Sequence, residues 1–135
     1  ISSGILLADC LNAADELAEK EGLDLAVLDL RCVKPLDTEA LRDLAHHHKR
    51  WLSVEENALM GGMGSALLEF INDRGLKVEV RRIGLPDRFV THGDRDSLLS
   101  EVGLDRKSIR QAARKCFKKS SKRASGRVYK VGSKV

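Results

Sequence analysis

The stretch "WLSVEENALMGGMGSALLEFINDRGLKVEVRRIG", Trp51–Gly84, decides the fold. "WLSV", Trp51–Val54, is short, apolar and bounded by polar residues, as a buried strand requires. "GSALLEFINDRG" carries its apolar residues at helical spacing and stops at Gly75, and "KVEVRRIG" alternates as a second strand. A strand, a helix and a strand in succession predict a parallel pair joined by a crossover helix.

Upstream, "LDLAVLDL", Leu23–Leu30, is mostly apolar over eight residues, which suits a strand covered on both faces. Before it, Leu6, Leu7, Cys10, Leu11, Ala14, Leu17 and Ala18 recur at helical spacing, with Ser2 or Ser3 as cap and Gly22 as stop. After it, Pro35 ends the extended segment. Asp37 caps a helix running to about His48, and Leu36 and Leu41 are placed as a hydrophobic staple. Downstream of Gly84, a short helix from Arg95 to about Val102 ends at Gly103; Asp105 caps a last helix, with Leu104 and Ile109 as a second staple. Alternation of this kind predicts an α/β fold with helices on both faces of a mostly parallel sheet. The opening "ISSG" reads as the end of a strand whose earlier residues are absent, so an incomplete beginning is expected.

One domain over residues 1–117 is therefore expected, followed by a basic tail over 118–135. The net charge of +4 comes from that tail: Lys118–Val135 holds seven Lys and Arg and no acid, leaving 17 basic and 20 acidic side chains before it. The tail is rich in Ser, Gly and cations without apolar periodicity, so it is expected to be disordered, and weak, non-specific nucleic-acid binding is the most it offers. No stretch reaches the roughly 18 to 20 apolar residues of a membrane span, so a soluble chain is expected. Cys10, Cys32 and Cys116 are odd in number and lack metal-ligand spacing, which reads as free, mostly buried thiols in a reducing compartment.

Glu55, Glu56 and Asn57 follow the strand at its carboxyl end, the edge where open α/β sheets usually hold ligands. Gly61, Gly62 and Gly64 let the chain turn into a helix near Ser65 whose free N–H groups can hold an anion. The turn lacks the Lys-Ser/Thr ending of a Walker loop. Three uses stay open: a packing and interface turn, contact with a partner domain's substrate pocket, or an independent anion site. Adjacent strand residues point to opposite faces, so at most one of Glu55 and Glu56 faces a cleft. His46–His48 diverge around a helix end, where cations complement the dipole, and no metal site is expected there. His92, with Asp87 and Arg88 near it in sequence, is a candidate loop contact.

Together, "LDLRCVKPLD" from Leu28, "VEENALMGGMGS" from Val54 and "IGLPDRFVTHGDRDSLLSEVGLD" from Ile83 resemble the C-terminal domain of the 1-deoxy-D-xylulose-5-phosphate synthases. These are transketolase-like, thiamine-diphosphate-dependent transferases. The resemblance runs to about Phe117 and implies a three-layer αβα domain of the transketolase C-terminal type. It implies a complete homodimeric enzyme that joins pyruvate to glyceraldehyde 3-phosphate with loss of CO2, supplying isoprenoid (terpenoid), thiamine and pyridoxal biosynthesis. It further implies that thiamine diphosphate and its Mg²⁺ sit in two preceding domains, leaving no catalytic, cofactor or metal residue on this chain, which alone is expected to be inactive. On this view Glu55, Glu56, Asn57, Gly61, Gly62, Gly64 and Ser65 shape a turn that packs on another domain or subunit, with Asp87 and His92 as further contacts. The enzyme would be cytoplasmic in a bacterium and plastidic in a plant. A stand-alone module holding a phosphosugar or other anion at Gly61–Ser65 is the alternative.

Overall fold

In the computed structural model, which describes residues 1–118, strand β1 (Arg50–Ala58) pairs in parallel with β2 (Glu79–Leu85). The register runs from Arg50 opposite Glu79 to Val54 opposite Ile83, then shifts before Ala58 meets Leu85. β1 thus runs four residues past Val54. The crossover helix is α3 (Met63–Asp73). Ile1 and Ser2 extend the sheet on the other side of β1: Ser2 bridges both Val54 and Asp29 in parallel. Ser2 N–H donates to Leu28 O and Leu30 N–H to Ser2 O, each at 2.9 Å.

The segment Leu23–Leu30, expected to be a strand, contributes only this single bridge at Asp29. Among the described residues it pairs with Ser2 alone. Ser2 is likewise not a helix cap: it is fully buried in the sheet, its hydroxyl donating to Val54 O at 3.0 Å. Helix α1 (Leu7–Glu21) follows a 3-10 turn at Gly4–Leu6 and stops at Gly22, whose φ of 64° is the left-handed cap conformation. Leu6 of that turn and Ala13 and Leu17 of the helix are buried, Cys10 is half-buried, and Leu11 and Ala18 are exposed.

Helix α2 (Thr38–His47) starts where expected, with the Asp37 carboxylate accepting Ala40 N–H at 3.0 Å. Helices α4 (Arg95–Glu101) and α5 (Arg106–Phe117) are capped in the same way by Asp94 and Asp105. The pleat of β1 divides the core. Leu52 and Val54 join α1, α4 and α5 on one face, while Trp51 joins α2 and α3 on the other. Helix, sheet and helix layers follow, as the sequence led us to expect. The tail reading over 118–135 falls outside the described residues except at Lys118.

Ion pairs fasten α5 to α1. Glu16 meets Arg106 at 2.5 Å and also Arg110, and Glu21 meets Arg114 at 2.9 Å and Lys118 at 3.0 Å. Glu16 is pulled down to about 2, foremost by Arg110 and then by Lys20, partly offset by burial, with Arg106 adding a smaller pull. A carboxylate depressed on folding adds stability above its unfolded pKa of 4.5 and loses it as pH falls through its folded value. We therefore expect a modest loss of stability as pH falls from 4.5 to about 2, screened by solvent at these exposed pairs, and a smaller one for Glu16→Gln. Circular dichroism during acid titration checks this; superimposable profiles would exclude the linkage.

Candidate functional site at the carboxyl edge of the sheet

All the strand ends point one way in this parallel arrangement, so the segments leaving them gather on one edge. Because β1 continues through Glu55, that side chain falls on the face covered by α3 and is fully buried. Its carboxylate reaches the first turn of α3, where Oε2 accepts Met63 N–H at 2.5 Å and Oε1 accepts Gly64 N–H at 2.8 Å. A helix N-terminus leaves N–H groups without intrahelical partners and carries a partial positive charge, and Glu55 answers both.

Three glycines leave room for that carboxylate. A Cβ on Gly62 would lie 2.3 Å from Glu55 Oε2 and 2.4 Å from Ala58 O. A Cβ on Gly64 would lie 3.0 Å from Glu55 Oε1, and one on Gly84 3.0 Å from Glu55 Cγ. The glycine cluster is thus a housing for an internal carboxylate. Gly61, at φ 76°, makes the turn itself, and its N–H donates to Ser65 Oγ at 3.0 Å. Ser65 Oγ–H donates to Leu59 O at 3.1 Å, and Ser65 and Ala66 N–H both reach Gly62 O.

The N–H groups that the sequence offers to an external anion are accordingly engaged within the chain. A phosphate at Met63 and Gly64 would have to displace Glu55. Glu56 points to the opposite side, is exposed, and pairs with Arg95 at 2.6 Å, tying β1 to the start of α4. Asn57 is exposed, and Asp87 and His92 stand exposed in the separate loop between β2 and α4. The structure therefore sets the two carboxylates on opposite faces of β1, as their adjacency in the strand implies. Among the described residues no three His, Cys, Asp or Glu side chains come together as a metal site.

Two residues of this locus were not singled out from sequence. Arg82 donates to Leu59 O at 2.7 Å and Ser65 Oγ at 3.1 Å, holding the turn from below. Its signal was available: in the alternating strand, Val78, Val80 and Arg82 share a face, and a cation on an inward face needs partners. Ser53 Oγ, beside Gly64, is buried without a hydrogen-bond partner among the described residues. All three cysteines are free, but Cys32 is exposed, contrary to the expectation of mostly buried thiols, because it lies in the loop leaving the Asp29 bridge. No helix among the described residues is long and apolar enough to cross a membrane.

A family model described as transketolase, C-terminal domain, matches residues 1–109. Among curated relatives, the 1-deoxy-D-xylulose-5-phosphate synthase of Bordetella petrii is 47% identical over 105 residues, which are 78% of this chain and 17% of the relative. That of Alkalilimnicola ehrlichii is 50% identical over 96 residues, 71% of this chain and 15% of the relative. That of Aquifex aeolicus is 40% identical over 118 residues, 87% of this chain and 19% of the relative. The chain thus spans less than a fifth of the length of these relatives. A solved structure titled "Split gene transketolase, inactive beta4 tetramer" superposes with a TM-score of 0.77 at 31% identity, covering 87% of this chain and 38% of that one.

Proposed function

Since the chain belongs to the transketolase C-terminal domain family, we propose that it is the last domain of a thiamine-diphosphate-dependent 1-deoxy-D-xylulose-5-phosphate synthase. It packs against the preceding domains, supports the homodimer, and leaves the cofactor to them. The single observation that carries this reading is identity of 40–50% to synthases whose remaining length, more than four-fifths, lies outside the match. The reaction assigned to the whole is the condensation of pyruvate with glyceraldehyde 3-phosphate with loss of CO2, and the compartment is a reducing one.

Among the described residues the candidate turn does not fit the cofactor. Its diphosphate is carried on Mg²⁺, which demands near-octahedral oxygen ligands. Both oxygens of Glu55 accept backbone N–H groups, and Glu56 is engaged by Arg95. The Gly61–Ser65 turn is therefore read as a structural support for an interface and not as a chemical site.

The test is reassembly. The Bordetella petrii synthase shortened by the segment this chain matches is mixed with the chain, and deoxyxylulose phosphate is followed. We expect the shortened enzyme to be inactive alone and to recover at least about tenfold with the chain, as an unlinked domain recovers function by binding. Absence of recovery with a well-folded chain removes the reading.

A further inference from the structure

The three most exposed large apolar side chains of the described residues are Phe89, which is fully exposed, Met60 at 71% and Ile5 at 67%. All lie on segments leaving the carboxyl ends of the sheet: Ile5 after the Ser2 bridge, Met60 after β1 and Phe89 after β2. The same edge holds a hollow of about 300 Å³ after the Asp29 bridge, lined by Leu28, Leu30, Leu36 and Leu41 with Arg31 and Cys32 at its rim. Two of these segments are held from within. The Met60 turn is tied by Glu55, Ser65 and Arg82, while Arg95 and Arg88 fasten the ends of the Phe89 loop to Glu56 and Glu101.

We infer that this carboxyl edge is the surface on which the preceding domains of the same enzyme seat, with Met60 and Phe89 as its apolar anchors. The hollow at the other end of that edge, after the Asp29 bridge, receives an apolar side chain of those domains. The inference rests on the proposed function, and it adds which face is used. The occupant follows from length: relatives of this kind carry more than four-fifths of their chain beyond the matched segment. The character of the contact follows from charge. Glu56, Arg88 and Arg31 already have partners in Arg95, Glu101 and Asp29, so the edge offers a partner apolar area and few unmatched charges. On the helix faces the exposed large apolar residues are fewer and less accessible, Leu11 on α1 at 43% and Leu68 on α3 at 38%. Those faces suit water.

The test measures affinity by calorimetry between the shortened Bordetella petrii synthase and three forms of this chain. These are the unaltered form, Met60→Asp with Phe89→Asp, and Leu11→Asp with Leu68→Asp. Thermal melts confirm that both variants fold. We expect the edge variant to bind at least about 30-fold more weakly, as buried interface anchors do on truncation or charging, and the helix variant to stay within about threefold. Equal affinity of the edge variant and the unaltered chain overturns the choice of face while leaving the proposed function standing. Equal losses in both variants overturn it as well. No binding by the unaltered chain overturns the proposed function and this inference with it.

Discussion

Glu55→Ala should cost the domain about 4 kcal/mol, lowering its melting temperature by roughly 15 °C, whereas Glu56→Ala one residue along should stay within about 0.5 kcal/mol. The difference follows from what each carboxylate touches. Removing Glu55 strands Met63 N–H and Gly64 N–H at a buried helix start, each at about 1–3 kcal/mol. It also opens a cavity that glycines at 62, 64 and 84 have no side chains to fill. Glu56 loses only an exposed pair with Arg95. Glu55→Gln keeps one accepting oxygen but turns an amide NH2 toward the other N–H, so it should fall between the two. A protein of this size has about 5–15 kcal/mol to lose, so Glu55→Ala leaves a marginal fold. Thermal melts of the three variants decide it. A Glu55→Ala protein melting within about 3 °C of the unaltered chain would show that the carboxylate does not hold the turn.

That locus shows how far the sequence could be read. Local signals were sufficient wherever a residue acts on its own neighbours. Asp37 and Asp105 cap α2 and α5, Gly22 stops α1, and the pairs Leu36 with Leu41 and Leu104 with Ile109 are buried or half-buried at the helix starts. Readings failed where the outcome depended on a distant partner. Leu23–Leu30 has strand composition but pairs only at Asp29, with the distant Ser2. The α1 pattern reads as one apolar side through Leu6, Leu7, Cys10, Leu11, Ala14, Leu17 and Ala18; packing against α5 instead buries Leu6, Ala13 and Leu17, half-buries Cys10 and leaves Leu11 exposed.

At the candidate site, the sequence placed two carboxylates and a glycine cluster together and established that they face opposite ways. Which one turns inward is set by the pleat of β1 against β2, a tertiary fact. Had the register shifted by one residue, Glu56 would sit under α3. The anion-binding character read from the helix start was sound chemistry, and the anion is Glu55 itself. Arg82 escaped notice because its role depends on Leu59 O, 23 residues away along the chain.

The second large effect concerns the cofactor. With the buried carboxylate bound to backbone and the exposed one bound to Arg95, the described residues bring no oxygen cage for Mg²⁺ together on this edge. A dry pocket for the reactive ring also needs walls from other domains. Affinity for thiamine diphosphate should therefore differ by about a thousandfold, or roughly 4 kcal/mol, between the chain alone and its complex with the shortened synthase. Calorimetric titration of both samples with thiamine diphosphate and Mg²⁺ is the most direct measurement. The account predicts no saturable heat for the chain alone up to about 1 mM and micromolar binding by the complex. Micromolar binding by the chain alone, abolished by Glu56→Gln, would contradict it and make the turn a cofactor site.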